Sequence, residues 1–389
     1  MNSLSYEELI VDLQQRSLYR QLHTIDAVNG TNVSRAGRPL VNFASNDYLG
    51  LTQHPKLKLA AADAIQRFGA GSGASRLITG TLAIHSQLEA RLAAFKQTPA
   101  ALTFESGYAA ALGTIPALFG QGDVIILDKL AHASLIDAAK LSGAEIRVYP
   151  HNRLERLSEL LDWAREKRRG AKILIITESI FSMDGDACPL PEIVDLKDEF
   201  GASLLLDEAH AIGVLGPNGA GLAAECGLVD RVEIHLGTLS KAIGSSGGFI
   251  AGPSSLIDLL INRARTFIYS TAPTPGAIAA AIEGLGIIAS GTGDQLRATL
   301  WRNHERLTVK LKRHKPEGAR SAIVPIMVGP EEQALSLSDE LVERGFLVPA
   351  VRFPTVPRGS ARLRVTLSAA HQLEDVVTLR EAINTLSAE

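Results

Sequence analysis

Lys241 stands in Thr238-Leu239-Ser240-Lys241, roughly thirty residues after Asp207-Glu208-Ala209-His210, and that aspartate closes the apolar run Ser203-Leu204-Leu205-Leu206. An amine and a carboxylate placed after strands in this way suit pyridoxal phosphate. The amine would hold the cofactor's aldehyde as a Schiff base, and the carboxylate would keep the ring nitrogen protonated so that the ring takes up electrons. Taken singly, a lysine is more often a solvated surface group and an aspartate a helix cap. The pair has to be read with its neighbours.

Other chemistries fail on their own requirements. Gly69 to Gly80 does not open a helix directly after a strand, as a dinucleotide fingerprint must, and no lysine follows a glycine to form a P-loop. Asp207 to His210 is therefore not the acidic box of a nucleotide-driven helicase. Gly244-Ser245-Ser246-Gly247-Gly248 fits the G-x-S-x-G pattern of a serine hydrolase, with Ser246 as nucleophile. That elbow belongs on a strand-to-helix turn, whereas Phe249 to Gly252 reads as a strand beginning after the glycines. A hydrolase is the remote alternative, as is a noncatalytic binding protein of the same fold, which would have no need of Lys241.

The 389 residues are 46% hydrophobic and 5% aromatic, which describes a globular chain long enough for two domains. With 39 basic and 42 acidic side chains the formal net charge is -3. Neither nucleic acid nor an anionic membrane would find a basic footprint there. Cys188 and Cys226 make no disulfide framework and lack zinc-site spacing, so no metal is expected and a reducing cytoplasm fits. Met1 to Ile10 carries Glu7 and Glu8 where a signal peptide would be basic and then apolar, and Glu283 interrupts the apolar stretch Ala277 to Ala289. No targeting or spanning segment is expected.

Short apolar runs alternate with segments of helical period, the habit of an α/β domain with a largely parallel sheet. Six or seven strands are expected, the clearest at Asp123 to Leu127, Ile146 to Tyr149, Lys172 to Thr177, Ser203 to Leu206, Ile234 to Gly237 and Gly248 to Ala251. Helices are expected at Tyr6 to Arg16, Ser134 to Leu141, Leu154 to Lys167 and Leu190 to Phe200. The carboxyl ends of the strands would bring Glu178, Ser182, Asp207 and Thr238 to one rim. Beyond about Gln295 a smaller α+β domain is expected: a long helix, a strand Ile323 to Val328, a helix Gln333 to Arg344, and a hairpin-like pair Phe346 to Val351 and Arg362 to Leu367. The units are thus an arm (1–50), a large domain (51–294) and a small domain (295–389).

Seven ordered blocks resemble the α-oxoamine synthase family of fold-type I pyridoxal phosphate enzymes over essentially the whole chain. They are Ser45 to Leu51, Gly71 to Leu77, Ser106-Gly107-Tyr108, His132 to Asp137, Phe181 to Asp186, Asp207 to His210, and Thr238 to Ala242. The resemblance implies that Lys241 carries the cofactor and moves the substrate Cα proton. It also implies that Asp207 meets the ring nitrogen, His210 the phenolic oxygen and His132 the ring face. Gly107 and Tyr108 open a helical run whose N-terminus suits the phosphate, with a hydroxyl from Thr238. Ser182 and Glu178 would lie beside the ring, and Thr271 would reach the phosphate of a neighbouring subunit in a homodimer.

Family members condense an amino acid with an acyl thioester and lose its carboxylate. Arg364 matches the arginine that grips that carboxylate; Arg362 is its rival, because alternation points both to one side. Asn46 would shape the site, and Arg20 and Thr355 would meet the acyl group. Arg265 to Thr271 and Pro354 to Pro357 favour the biotin-pathway branch, which uses L-alanine and a pimeloyl thioester of coenzyme A or acyl carrier protein. Glu208, Ala211 and Ala74 depart from that branch's usual pattern and keep the 5-aminolevulinate, glycine C-acetyl and serine palmitoyl branches open.

Overall fold

The computed structural model describes residues 5–16, 18–311 and 321–386. Its centre is a seven-stranded sheet of β1 (Ala100–Phe104), β2 (Val124–Asp128), β3 (Glu145–Tyr149), β4 (Ile173–Glu178), β5 (Ser203–Asp207), β6 (Ile234–Thr238) and β7 (Gly248–Gly252). Their spatial order is β1-β7-β6-β5-β4-β2-β3. The run from β3 to β6 is parallel, and β7 lies antiparallel between β6 and β1. Six of these strands match the expected runs to within a residue or two. The seventh, β1, is the Ala-rich edge strand that the sequence did not single out.

Both faces of the sheet are covered. Leu204 and Leu206 of β5 belong to one apolar cluster, with Leu88, Leu157 and Leu161, while Leu205 belongs to the other, with Ile115, Leu135 and Leu260. β2, β4 and β6 are buried end to end, which explains the unbroken apolar runs Val124 to Leu127 and Ile173 to Ile176. Each fully buried Leu or Ile contributes about 1.5–3 kcal/mol. The sheet is therefore a stiff platform for whatever its strands carry at their ends.

Polar braces tie those ends together. His151 lies 3.0 Å through Nδ1 from Asp128, the last residue of β2, and 2.7 Å through Nε2 from Asp186. Burial disfavours its charge, but the hydrogen bonds to Asp128 and Asp186 outweigh that and hold its pKa up to about 10. Behind β5, Glu208 is fully buried and bonds Lys96 Nζ at 2.5 Å, the Ala223 N–H at 3.1 Å and His235 Nδ1 at 3.2 Å. Lys96 charge and the His235 hydrogen bond overcome burial and keep the Glu208 carboxyl low, at about 2.

The C-terminal part has the expected long helix (Gly291–Thr308), then the strand Ile323–Gly329 and the helix Glu331–Glu343. The expected hairpin needs correction. Ala350–Val351 does pair antiparallel with Ala361–Thr366, whose longer partner is Ile323–Gly329. Phe346–Leu347 instead runs parallel to Arg38–Asn42, completing a four-stranded sheet with Ala27–Asn29 and Asn32–Arg35. Pro349 divides the two pieces, because it has no N–H to continue a ladder. Among the described residues no single helix is long and apolar enough to cross a membrane, although the pair Pro275–Ile288 and Gly291–Thr308, bent by 77°, would pass on length and composition together.

Candidate active site

The carboxyl ends of β4, β5 and β6 and the starts of two helices enclose a cleft of about 220 Å³. Gly107, Tyr108, His132, Glu178, Asp207, His210, Thr238 and Lys241 all line it. These residues come from segments spread over more than a hundred positions, and the parallel sheet gathers them.

At one end lies the start of the helix Gly107–Leu118. Ser106 caps it, with Oγ accepting the Ala109 N–H at 3.0 Å. Gly248 of β7 lets this start sit against the sheet, since a Cβ there would stand 2.4 Å from Gly107 N. The free first-turn N–H groups and the positive end of the helix dipole make an anion site. Thr238 Oγ1 donates to the Gly247 carbonyl at 3.0 Å and lies 2.7 Å from Ser240 Oγ. Ser240 and Ser106 also line the cleft, and the sequence reading gave them no role.

At the floor, Asp207 is almost fully buried and accepts the Ala209 N–H at 2.9 Å. Burial raises its carboxyl pKa, against the opposing pull of Lys241. Among the described residues no side-chain cation lies within ion-pair distance of it. Glu178 accepts the His132 N–H at 2.6 Å, and burial, then the Asp207 charge, push it well above the usual carboxylate range. His132 begins the helix Ala133–Ser142, and its Nδ1 accepts the Ser134 N–H at 3.3 Å. Burial lowers its pKa and leaves an uncharged ring facing the cleft.

Lys241 Nζ lies 2.7 Å from His210 Nε2, and His210 Nδ1 lies 2.5 Å from the Tyr48 hydroxyl. Burial lowers the Lys241 amine to about 8, although Asp207 and Glu178 favour its charge. Burial, and then the Lys241 charge, push His210 well below its ordinary value.

Beside the cleft, Arg364 is buried from the C-terminal strand. Its Nε donates to the Ser182 carbonyl at 2.7 Å, Nη1 to Thr366 Oγ1 at 2.9 Å, and both Nη atoms to Asn46 Oδ1 at 3.2 Å. Every one of these partners is neutral. Arg362, the rival, is instead paired with Asp184. A buried guanidinium without a counter-charge is costly, and a carboxylate ligand would supply what it lacks.

The remaining expected residues do not line the cleft. Arg20 and Thr355 meet each other at 3.5 Å on the exposed surface. Thr271 is exposed and forms an isolated bridge with Ser75. Ser182 touches Arg364 through its backbone. Ser246 is exposed on the turn before β7 and not on a strand-to-helix elbow, so the hydrolase arrangement is absent.

The aminotransferase class I and II family model matches residues 38–383. An 8-amino-7-oxononanoate synthase of Geobacter sulfurreducens is 45% identical over 94% of this chain and 93% of its own. One from Anaeromyxobacter dehalogenans is 49% identical over 94% and 90%. The chain belongs to the 8-amino-7-oxononanoate synthase family. Members of this family are pyridoxal-phosphate-dependent acyltransferases of fold type I. A solved member from Francisella tularensis shares 29% identity at a TM-score of 0.76, covering 90% of this chain and 98% of that one. A lysine-to-alanine variant of the serine palmitoyltransferase of S. paucimobilis, solved with a PLP–myriocin aldimine bound, superimposes at a TM-score of 0.92 with 30% identity, over 98% of this chain and 96% of that one. The cleft fits the cofactor: an amine, a buried carboxylate lacking a cation, a neutral ring and an anion site stand around one cavity.

Proposed function

We propose that this chain joins L-alanine to a pimeloyl thioester, of coenzyme A or acyl carrier protein, yielding 8-amino-7-oxononanoate, CO2 and the free thiol in biotin synthesis. The observation that carries the reading is Arg364, a buried cation with only neutral partners, set beside the Lys241 cleft. The 45–49% identity to named synthases favours alanine over serine, which the 30% identity to serine palmitoyltransferase supports more weakly.

Bound pyridoxal phosphate would supply an aldehyde that captures the amino group and a protonated ring that takes up the electron pair left at Cα. Lys241 would hold it, Asp207 its ring nitrogen, His210 its phenolic oxygen and His132 its ring face. Glu178 and Ser182 would flank the ring, while Thr238 and the amides of Gly107 and Tyr108 would bind the phosphate. In a homodimer, Thr271 of a second copy would reach that phosphate.

Arg364 and Asn46 orient alanine by its carboxylate. Lys241, with its lowered pKa, takes the Cα proton. The carbon attacks the thioester carbonyl, the C–S bond breaks and the thiol leaves; the carboxylate then departs as CO2 and Lys241 returns a proton to Cα. Arg20 and Thr355 would contact the acyl chain. In this reading residues 51–294 form the cofactor domain, with the arm (1–50) and the small domain (295–389) supplying Asn46 and Arg364.

The test uses the loaded protein with pimeloyl-coenzyme A and alanine, glycine or serine, and product mass as readout. Product from alanine supports the reading, and product from glycine or serine alone moves the chain to a sister branch. Lys241→Ala should lose turnover and the borohydride-reducible cofactor adduct; an adduct that persists overturns the Lys241 assignment.

A further inference from the structure

One buried chain of hydrogen bonds connects the two functional ends of the site. Arg364 Nη1 and Nη2 both point at Asn46 Oδ1 at 3.2 Å; the Tyr48 hydroxyl is 3.3 Å from the same oxygen and 2.5 Å from His210 Nδ1; His210 Nε2 is 2.7 Å from Lys241 Nζ. Tyr48 has no exposed surface.

Along this chain, to which Arg364 adds a direct hydrogen bond to the Tyr48 hydroxyl, one assignment of donors and acceptors satisfies every contact. Two guanidinium N–H groups fix the Asn46 amide with its oxygen toward Arg364, because guanidinium has no acceptor to offer an NH2 group. Tyr48 therefore donates its proton to Asn46, and its oxygen is left to accept. A neutral His210 then donates from Nδ1 to Tyr48 and presents an unprotonated Nε2, which accepts from Lys241. Burial keeps both intermediaries in the required state. It pushes the Tyr48 hydroxyl up to about 12, so that it stays protonated, and His210 well down, so that it stays neutral.

Asn46 Oδ1 is oversubscribed, with three donors on an oxygen that has two lone pairs. A carboxylate arriving at Arg364 would draw away the guanidinium N–H groups and leave Tyr48 as the donor to Asn46. Fuller donation by Tyr48 makes its oxygen a better acceptor for His210 Nδ1–H, and His210 Nε2 in turn a better acceptor, because bonded chains polarise one another.

We propose that Tyr48 is a positioning residue that couples carboxylate occupancy at Arg364 to the proton affinity of the groups facing His210 Nε2, Lys241 first among them. The inference rests on the reading of Arg364 as the carboxylate site, and it adds that substrate recognition itself adjusts the lysine end.

The experiment uses the holoenzyme and propionate, which has alanine's carboxylate and methyl but no amine to react. The pH midpoint of the lysine-bound cofactor's visible absorption is measured with and without saturating propionate, in the native chain and in Tyr48→Phe. Propionate should compete with alanine in both proteins. It should raise the midpoint in the native chain and raise it less in Tyr48→Phe, where only the direct field of the bound anion remains. An equal rise in both proteins, or competition with no rise, overturns the coupling while leaving the Arg364 reading intact. Absence of competition in the native chain overturns both. Tyr48→Phe removes one oxygen from a buried ring, and its midpoint without propionate, read on the same folded holoenzyme, separates the relay from a packing defect.

Discussion

Arg362 and Arg364 leave one strand on the same side, and strand alternation gave no means of choosing between them. The choice rests on Asp184, 178 positions away, which neutralises Arg362 and leaves Arg364 with amide, carbonyl and hydroxyl partners. Arg364→Lys should raise KM for alanine by roughly 10- to 100-fold, since it removes the planar fork that grips both carboxylate oxygens. Arg362→Lys should leave that KM nearly unchanged, and steady-state kinetics of the two variants checks the distinction. Lys241 allows a second prediction. Burial lowers its amine to about 8, so the fraction able to accept a proton grows as pH rises through that value and is complete above it. kcat, which reports the substrate-bound site, should climb toward alkaline pH with its midpoint at or above that of the free site, because the bound carboxylate raises the lysine's proton affinity, whereas a kcat that falls over this range would remove Lys241 as the base. The lysine and aspartate were legible as residues because their roles need particular side chains at strand ends. Tyr48 was not, because its part depends on three partners from separate segments and nothing in its own flanks reveals them.

At the scale of elements, the buried strands were legible because burial on both faces demands unbroken apolar runs, as in β2 and β4. β1 was missed because Ala100 and Ala101 fit helix as well as strand, and its identity comes from pairing with β7. The piece Phe346–Leu347 was assigned to the wrong sheet, since a two-residue parallel pairing leaves no periodicity to read. Gly248 shows how closely elements must approach to make the anion site. A Cβ there would lie 2.4 Å from both Gly107 N and the Ser106 carbonyl carbon, and backbone atoms cannot swing aside as a side-chain tip would. Gly248→Ala should cost about 1–3 kcal/mol in stability, by overpacking, and should also weaken cofactor binding by tilting the first-turn amides. Gly286→Ala is the control, because its Cβ would meet only Arg91 Nη1 at an ordinary 3.8 Å. Denaturant unfolding and cofactor titration of both variants check this; unchanged cofactor affinity in Gly248→Ala would mean that the helix start does not hold the phosphate.

At the scale of the whole molecule, one chain leaves apolar surface exposed close to its own chemistry. Ile78 is 76% exposed, Tyr269 71% and Leu77 51%, an unusual concentration for a surface facing water. The two segments adjoin: Ser75 bridges Thr271, and the Arg76 guanidinium lies 5.4 Å over the Phe267 ring. Tyr108, at the start of the anion-site helix, is also 42% exposed. A second copy related by a two-fold axis would cover such a patch with the same patch, and it would carry Thr271 toward the other chain's phosphate end. Sedimentation velocity should therefore give a mass of two chains. Ile78→Asp places a charge in the covered patch and should shift the protein toward single chains, with cofactor affinity falling in step with dissociation. Thr271→Ala should weaken cofactor binding in a protein that still sediments as two chains. If single chains of Ile78→Asp bound the cofactor as tightly as the native protein, each site would be complete within one chain, and the exposed residues around Thr271 would need another occupant.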